Sequence, residues 1–143
     1  MKWLDLPPIW LALALGLTWA SPWALPLGAF AQSGWLCLLL GVVLTLSAVF
    51  SFWKARTTII PREAPNGLIT DGIFRITRNP IYLADVLFLL GAALILENLV
   101  GLILVPLFAG FLQRRFILGE EQTLRKAFPE AFDRYASQTR RWI

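Results

Sequence analysis

The residues best suited to chemistry form a short run, RNPIY at residues 78–82, between two apolar regions. Pro80 suits the first turn of a helix and Asn79 suits the position before it, so the run predicts a helix start. Backbone N–H groups at a helix start attract anions and polar ligands, and Arg78 adds a positive charge there. The simpler interpretation is a turn that re-enters the membrane, with Arg75 and Arg78 as anchors.

Acidic residues occur at two further positions of interest. Asp85 lies inside the apolar stretch that follows, and helical spacing puts it on one face with Tyr82 and Leu89. A carboxylate is costly in hydrocarbon, so Asp85 must face protein or a water-filled cavity, and we predict a functional role for it. Glu120 and Glu121 open a later helix, where the helix dipole favours acidic residues. Alternatively, Glu120 binds a hydroxyl group or a cation.

The composition is typical of a membrane protein. Of 143 residues, 57% are hydrophobic and 15% are charged, whereas a soluble domain carries roughly a quarter charged residues. Residues 6–53 contain no charge, although one span needs only about 20 residues. The sequence has no histidine and lacks an acidic cluster with cysteine partners, so we predict no metal. Its basic residues flank apolar spans, which favours a membrane surface as partner and argues against nucleic acid.

The apolar pattern predicts an all-α integral membrane protein with four transmembrane helices. The charge-free block divides into one helix that starts at residue 7 and ends near residues 22–26, and a second over 32–53. Residues 54–78 contain several prolines and glycines and are predicted to be mostly loop, with one short helix. Residues 80–112 are long enough for two helices that turn at Glu97-Asn98.

The last segment, residues 113–143, is polar with an apolar stripe. The stripe has helical spacing and comprises Ile117, Leu124, Phe128, Phe132 and Tyr135. It predicts two cytoplasmic amphipathic helices that lie on the membrane or close a pocket, with Pro129 at the start of the second or as a kink in the first.

Basic residues predict the topology. All 13 lysines and arginines lie at the N-terminus, in the 54–78 loop or after residue 113. Four spans with both termini in the cytoplasm place every one of them inside, and we expect a bacterial inner membrane. We predict one domain over residues 1–143, in which 1–53 form an N-terminal helix pair and 54–143 form a ligand-binding core.

Several pieces of the sequence, in their order, resemble the isoprenylcysteine carboxyl methyltransferase and phospholipid methyltransferase group of membrane enzymes. They are GIFRITRNPIYLA at residues 72–84, EEQTL at 120–124, FPEAFDRY at 128–135 and RRWI at 140–143. The resemblance covers about residues 54–143. It departs from the family pattern at Asn79, where the isoprenylcysteine enzymes have histidine, and at Pro129 and Phe132.

The resemblance implies a cytoplasmic site for S-adenosylmethionine and an opening to the membrane for a lipophilic acceptor. The implied cofactor-binding residues are Asn66, Gly67, Leu68, Ile69, Phe74, Asn79, Pro80, Ile81, Tyr82 and Glu120. A family arginine that contacts the acceptor corresponds to Phe116 here, and the resemblance leaves Arg114 or Arg115 to substitute for it.

The reaction implied is methyl transfer from an activated sulfonium, for which positioning and exclusion of water matter most. Without histidine, any deprotonation falls to Asp85 or Glu120, or is unnecessary. An acceptor that arrives as a carboxylate or thiolate needs no base, which favours such an anion over an amine. The alternatives are a phospholipid amine N-methyltransferase, a non-catalytic four-helix membrane subunit, and a small transporter with Asp85 as its ion site. The oligomeric state is left open.

Overall fold

The computed structural model describes residues 5–55 and 67–143. Every regular element within these ranges is helical, which confirms the predicted all-α class. The helices are α1 (Pro7–Ala20), α2 (Ser33–Ala55), α3 (Pro80–Ile95), α4 (Leu99–Leu112), α5 (Leu118–Ala127) and α6 (Pro129–Gln138). Two 3-10 turns, Gly28–Gln32 and Gly72–Arg75, precede α2 and α3, and a π turn, Gln113–Ile117, joins α4 to α5.

Two helical stretches in the described ranges are long and apolar enough to cross a membrane. They are Gly28–Ala55, with 28 residues, and Leu99–Ala127, with 29 residues. Helices α1 and α3 are also apolar but have only 14 and 16 residues. The four predicted apolar helices therefore all form, and the hairpin turns at Glu97-Asn98 as predicted. Of these four helices, α2 and α4 belong to stretches that are long enough to span a membrane.

Helix α3 lies at the centre, where it contacts α1, α2 and α4. Small residues allow this close packing: a Cβ atom added at Gly91 would lie 2.8 Å from the carbonyl oxygen of Gly34. A Cβ atom at Gly41 would similarly lie 2.7 Å from the ring of Phe88. The central position of α3 places its first turn, which carries the RNPIY run, against several other elements.

The hairpin turn is fixed at the far end of α3 from that run. Glu97 adopts a positive φ of 47°, and its carboxylate accepts hydrogen bonds from both N–H groups of residues 27–28, at 2.7 and 2.8 Å. Asn98 caps α4 by accepting a hydrogen bond from the Gly101 N–H, and its Nδ2 donates to the carbonyl of Ser21. The α1–α2 and α3–α4 connections are thus tied together.

Helix α4 continues through the π turn into α5 without a loop. A π turn holds one more residue than an α turn, so the side chains after it are rotated by about 100° around the axis. Phe116 and Ile117 within the turn are buried. The rotation determines which residues of α5 face α3, and Glu120 lies in the first turn of α5.

Candidate active site

One hydrogen bond joins the RNPIY segment at residues 78–82 to the EEQTL segment at residues 120–124. Tyr82, in the first turn of α3, donates its hydroxyl hydrogen to Glu120 Oε1 over 2.6 Å. Tyr82 is buried and Glu120 is half-buried, so the carboxylate can be reached from outside the core. The structure therefore brings together two of the residues that the resemblance assigned to one site.

An aromatic layer borders this hydrogen bond. The rings of Tyr82 and Phe116 stack, with centroids 6.2 Å apart and planes 20° apart, and Phe111 contacts Phe116 edge-on. Phe116 is the residue that the resemblance aligned with the acceptor-contacting arginine, and it is buried here. Of the two arginines predicted to replace it, Arg115 forms an ion pair with Asp5, and Arg114 is exposed on the π turn.

Asp85 lies one turn further along α3 than Tyr82. It is buried, as are Tyr82 and Leu89, which confirms that the three share an inward face. Its Oδ2 atom is buried and has no hydrogen-bond partner among the described residues. A buried acceptor left without a partner costs roughly 1–3 kcal/mol, so this atom indicates a place for a polar ligand or water.

Asn79 occupies the predicted position before α3, with Pro80 buried in the first helical position. The Asn79 side chain does not cap the helix. Instead its Nδ2 donates to the carbonyl oxygen of Arg141 at 3.0 Å, and its backbone N–H donates to Thr77 Oγ1 at 3.2 Å. The amide predicted to face the cofactor is thus bonded to the C-terminal end of the chain.

That end forms a strap, residues 139–143, which lies over the start of α3. The backbone N–H of Arg78 donates to the carbonyl of Arg140 at 3.0 Å. Trp142 Nε1 donates to Gln113 Oε1 at 2.9 Å, at the beginning of the π turn. The strap therefore joins α3 to the helix that carries Glu120. RRWI belongs to the family resemblance, but its sequence alone predicts no structural role for it.

A buried ionic cluster underlies the strap. Glu121 accepts two hydrogen bonds from Arg141, at 3.0 and 2.7 Å, and lies 3.3 Å from Arg78. The hydrogen bond to Glu121 raises the pKa of Arg141 above its ordinary value. Both guanidinium groups interact with the Glu121 carboxylate, whereas the Glu120 carboxylate accepts a hydrogen bond from Tyr82. Sequence reasoning missed this cluster, since no spacing rule relates residues 20 and 43 positions apart in the chain.

A second apolar cluster holds the remaining predicted residues. Leu68, Ile69 and Ile81 pack against the cluster that contains Phe74, and the Phe74 carbonyl accepts a hydrogen bond from Tyr135 Oη at 2.7 Å. Tyr82 belongs to the other cluster, so the rings of Phe74 and Tyr82 are not in one layer. A Cβ atom at Gly67 would meet no atom of the described residues within 4 Å. Asn66 lies outside the described residues.

Comparison with known proteins identifies the family of the chain. The profile of the phospholipid methyltransferase family matches residues 29–131. The chain belongs to the phospholipid methyltransferase family. Members of this family are membrane methyltransferases that generally use S-adenosylmethionine. The family match and the two long apolar helices are both typical of a membrane protein.

One curated relative extends the comparison. The cobalt-zinc-cadmium resistance protein CzcN of Cupriavidus metallidurans is 32% identical over 122 residues, which are 85% of this chain and 50% of that protein. The chain therefore spans about half the length of this relative. No solved structure matches the sequence.

Proposed function

We propose that this phospholipid methyltransferase family member is an S-adenosylmethionine-dependent enzyme that methylates a lipophilic acceptor. The observation that carries the proposal is the 2.6 Å hydrogen bond between Tyr82 and Glu120. It joins two segments that are 38 residues apart and that both belong to the family pattern. The reaction class is supported by the family membership of the chain.

The residues around this bond suit such a cofactor. Gly119, next to the half-buried Glu120, borders open space among the described residues, which leaves room for a ligand on that side of the helix. The backbone of residues 67–69, the first turn of α3 and Glu120 would hold the cofactor, as in the resembling enzymes. S-adenosylmethionine supplies a methyl group that its sulfonium has already activated for displacement.

The chain's own residues position the reactants and exclude water. The Glu120 carboxylate accepts hydrogen bonds from hydroxyl or amino groups, and its negative charge favours a cation nearby. The stacked faces of Tyr82 and Phe116 also attract a cation, because aromatic faces carry partial negative charge. Phe111 and Leu112 complete an apolar wall. An environment of this kind removes competing water from a displacement reaction.

For the acceptor we propose a carboxylate or thiol on a lipophilic molecule. A carboxylate, or a thiol that has already lost its proton to solvent and arrives as thiolate, is an anion and needs no base at the site. Arg114, which is exposed beside Phe116 on the π turn, would attract it. A phospholipid amine is the alternative acceptor, and it would have to lose a proton first. The unpartnered Oδ2 of Asp85 would receive that proton.

The same proposal includes four membrane spans with both termini in the cytoplasm. It is supported by the apolar helices α1 and α3, which lie beside the two longer ones, and by the positions of the 13 basic residues. We extend it to a bacterial inner membrane because of the relative in Cupriavidus metallidurans.

A methyl-transfer assay tests the proposal directly. Purified protein in lipid nanodiscs receives labelled S-adenosylmethionine, together with a prenylated cysteine analogue, a lipophilic thiol or phosphatidylethanolamine. We expect label in one acceptor class, and a large loss of it with Glu120→Gln. Loss with Arg114→Gln indicates an anionic acceptor, and loss with Asp85→Asn indicates an amine. Absence of S-adenosylhomocysteine binding and of any transfer would leave a non-catalytic membrane subunit as the better account.

A further inference from the structure

A polar cleft of about 450 Å³ opens between the segment before α3 and helix α6. Arg75 lines one side and Arg134 lines the other, with Thr70 and Gln138 beside them. Both arginines are exposed, and within the described residues neither guanidinium has an ion-pair partner. Two such groups in one cleft favour an anion with several oxygen atoms, because guanidinium binds phosphate and carboxylate in a fixed geometry.

An apolar groove of about 480 Å³ runs along the outer face of α2 on the other side of the same segment. Leu46 and Phe50 of α2 line it together with Ile73 and Ile76. Phe50 and Ile76 are 60% and 62% exposed, which is a large apolar area for two neighbouring side chains. Because α2 is a candidate span with a largely exposed apolar surface, this groove faces the lipid phase.

The 3-10 turn Gly72–Arg75 separates the cleft from the groove and borders both. It packs closely on α2, since a Cβ atom at Gly72 would lie 3.3 Å from Ser51 Oγ. Leu46 lies nine residues before the end of α2, or about 13 Å along its axis. The groove thus runs from near the end of the span toward the hydrocarbon, while the arginines lie near its end, at the level expected for lipid headgroups.

We propose that the cleft and the groove together bind one anionic phospholipid. Its phosphate lies between Arg75 and Arg134, and one acyl chain follows Leu46, Phe50 and Ile76. Leu68, which is proposed to contact the cofactor through its backbone, also lines the cleft, whereas Tyr82, Asp85 and Glu120 line neither cavity. The lipid site therefore adjoins the proposed methyl-transfer site without including these three side chains. The bound lipid is a partner of the fold and is not the methyl acceptor.

The test uses the full-length protein in a neutral detergent, with unfolding temperature measured against added lipid. We expect dioleoylphosphatidylglycerol to stabilise the wild type in a saturable manner, and dioleoylphosphatidylcholine to do so much less. Arg75→Gln with Arg134→Gln should weaken apparent affinity about 30-fold, because each basic residue near an anionic lipid contributes about five-fold. The single variants serve if the double variant does not fold.

A matched control removes the same charge elsewhere. Arg114→Gln with Lys126→Gln removes two exposed charges outside both cavities, on the π turn and on α5, and should retain the affinity for phosphatidylglycerol. An equal loss of affinity for phosphatidylglycerol in both double variants would show that only the net charge of the protein matters. That result would overturn the proposed site. Equal stabilisation by the two lipids would overturn it as well.

Two further measurements distinguish a bound phospholipid from a free anion and from the cofactor. Ile76→Ser should weaken binding of the lipid, whereas inorganic phosphate should neither stabilise the wild type at millimolar concentration nor compete with the lipid. Effective competition by phosphate would indicate a free-anion site and overturn the proposal. S-adenosylhomocysteine binding should survive Arg75→Gln with Arg134→Gln. Its loss would assign the cleft to the cofactor instead.

Discussion

The acidic pair Glu120-Glu121 illustrates how adjacent residues acquire different roles. Successive residues on a helix point about 100° apart, so the two carboxylates face different neighbours. Glu120 accepts a hydrogen bond from Tyr82 and is half-buried, whereas Glu121 is buried against Arg78 and Arg141. The first geometry leaves a carboxylate within reach of a ligand, and the second stabilises the fold.

We therefore expect Glu120→Gln and Glu121→Gln to differ in what they impair. Glu120→Gln should weaken S-adenosylhomocysteine binding ten-fold or more, since a hydrogen bond to a charged group contributes about 1.5–3 kcal/mol. Glu121→Gln should chiefly lower stability, by about 2–3 kcal/mol, because it leaves two guanidinium groups partly buried without their anion. Calorimetric titration and thermal unfolding measure the two effects. A larger loss of affinity at Glu121 would reverse the assignment.

Tyr135 leads to a prediction about the stability of the fold in alkaline solution. Burial raises the pKa of Tyr135 above its ordinary value of 10.0; Arg78 opposes the shift and Glu121 adds to it. The folded protein therefore keeps this proton at a pH where the unfolded chain has lost it. Its contribution to stability is fully present below about pH 10 and declines as the pH rises further, by up to about 1.4 kcal/mol per pH unit.

Tyr135→Phe should remove that decline. The variant loses the hydrogen bond to the Phe74 carbonyl and should be about 1 kcal/mol less stable than the wild type at pH 8. Between pH 10 and 11 the difference should shrink, because phenylalanine has no proton to lose. Denaturant unfolding of both proteins over this range measures it. Parallel decline of the two curves would show that Tyr135 ionises equally in the folded and unfolded states.

Among the elements, the C-terminal strap and the π turn have the largest influence on the site. The strap bonds to the two residues directly before α3 through the carbonyl oxygens of Arg140 and Arg141, and to the π turn through Trp142. Both partners of the Tyr82–Glu120 hydrogen bond are therefore held by the same five residues. Their relative position depends on contacts that are distant in sequence.

We expect Arg141→Lys to weaken this arrangement although it preserves the charge. Lysine cannot donate the two parallel hydrogen bonds that Arg141 makes to Glu121, so stability should fall by about 1–2 kcal/mol and S-adenosylhomocysteine should bind several-fold more weakly. Arg140→Lys is the control, because the Arg140 side chain is exposed and makes one long contact of 3.5 Å. Equal effects in the two variants would show that the Arg141 geometry is unimportant.

The helices and the hairpin turn could be predicted, but the π turn and the contacts of the C-terminal strap could not. Helices α1 to α4 follow from apolar blocks bounded by Pro7, Pro80 and the Glu97-Asn98 turn, since local chemistry determines where a helix starts and stops. The pairing of Tyr82 with Glu120 followed from resemblance alone. The π turn has no sequence signature, and the bonds of the strap depend on the tertiary fold, so neither was predicted.

At the scale of the whole molecule, the proposed site requires a particular topology. Gly67 and Gln122 flank the two segments that meet at Tyr82 and Glu120, so both must lie on the same side of the membrane. Single cysteines at these positions, in a Cys37→Ser background, should be labelled from the cytoplasmic side only. A cysteine at Leu96, which is 47% exposed at the hairpin turn, should be labelled from the other side only.

Leu96 is a better probe than Asn98, which is buried and hydrogen-bonded at the same turn. Labelling is compared in intact and permeabilised cells with a reagent that does not cross membranes. Reaction of positions 67 and 122 from opposite sides would exclude a shared cofactor and the methyltransferase proposal with it.

The short length of α1 and α3 has a consequence for the surrounding bilayer. With 14 and 16 residues they measure about 21 and 24 Å, whereas the hydrocarbon layer is about 30 Å thick. If they span as proposed, this mismatch thins the layer on their side of the molecule, while the 23 residues of α2 preserve its thickness on the other. The surface is then depressed beside Tyr82. A lipophilic acceptor of the kind proposed, with its reactive group at headgroup level, would then reach the site by lateral diffusion without leaving the membrane.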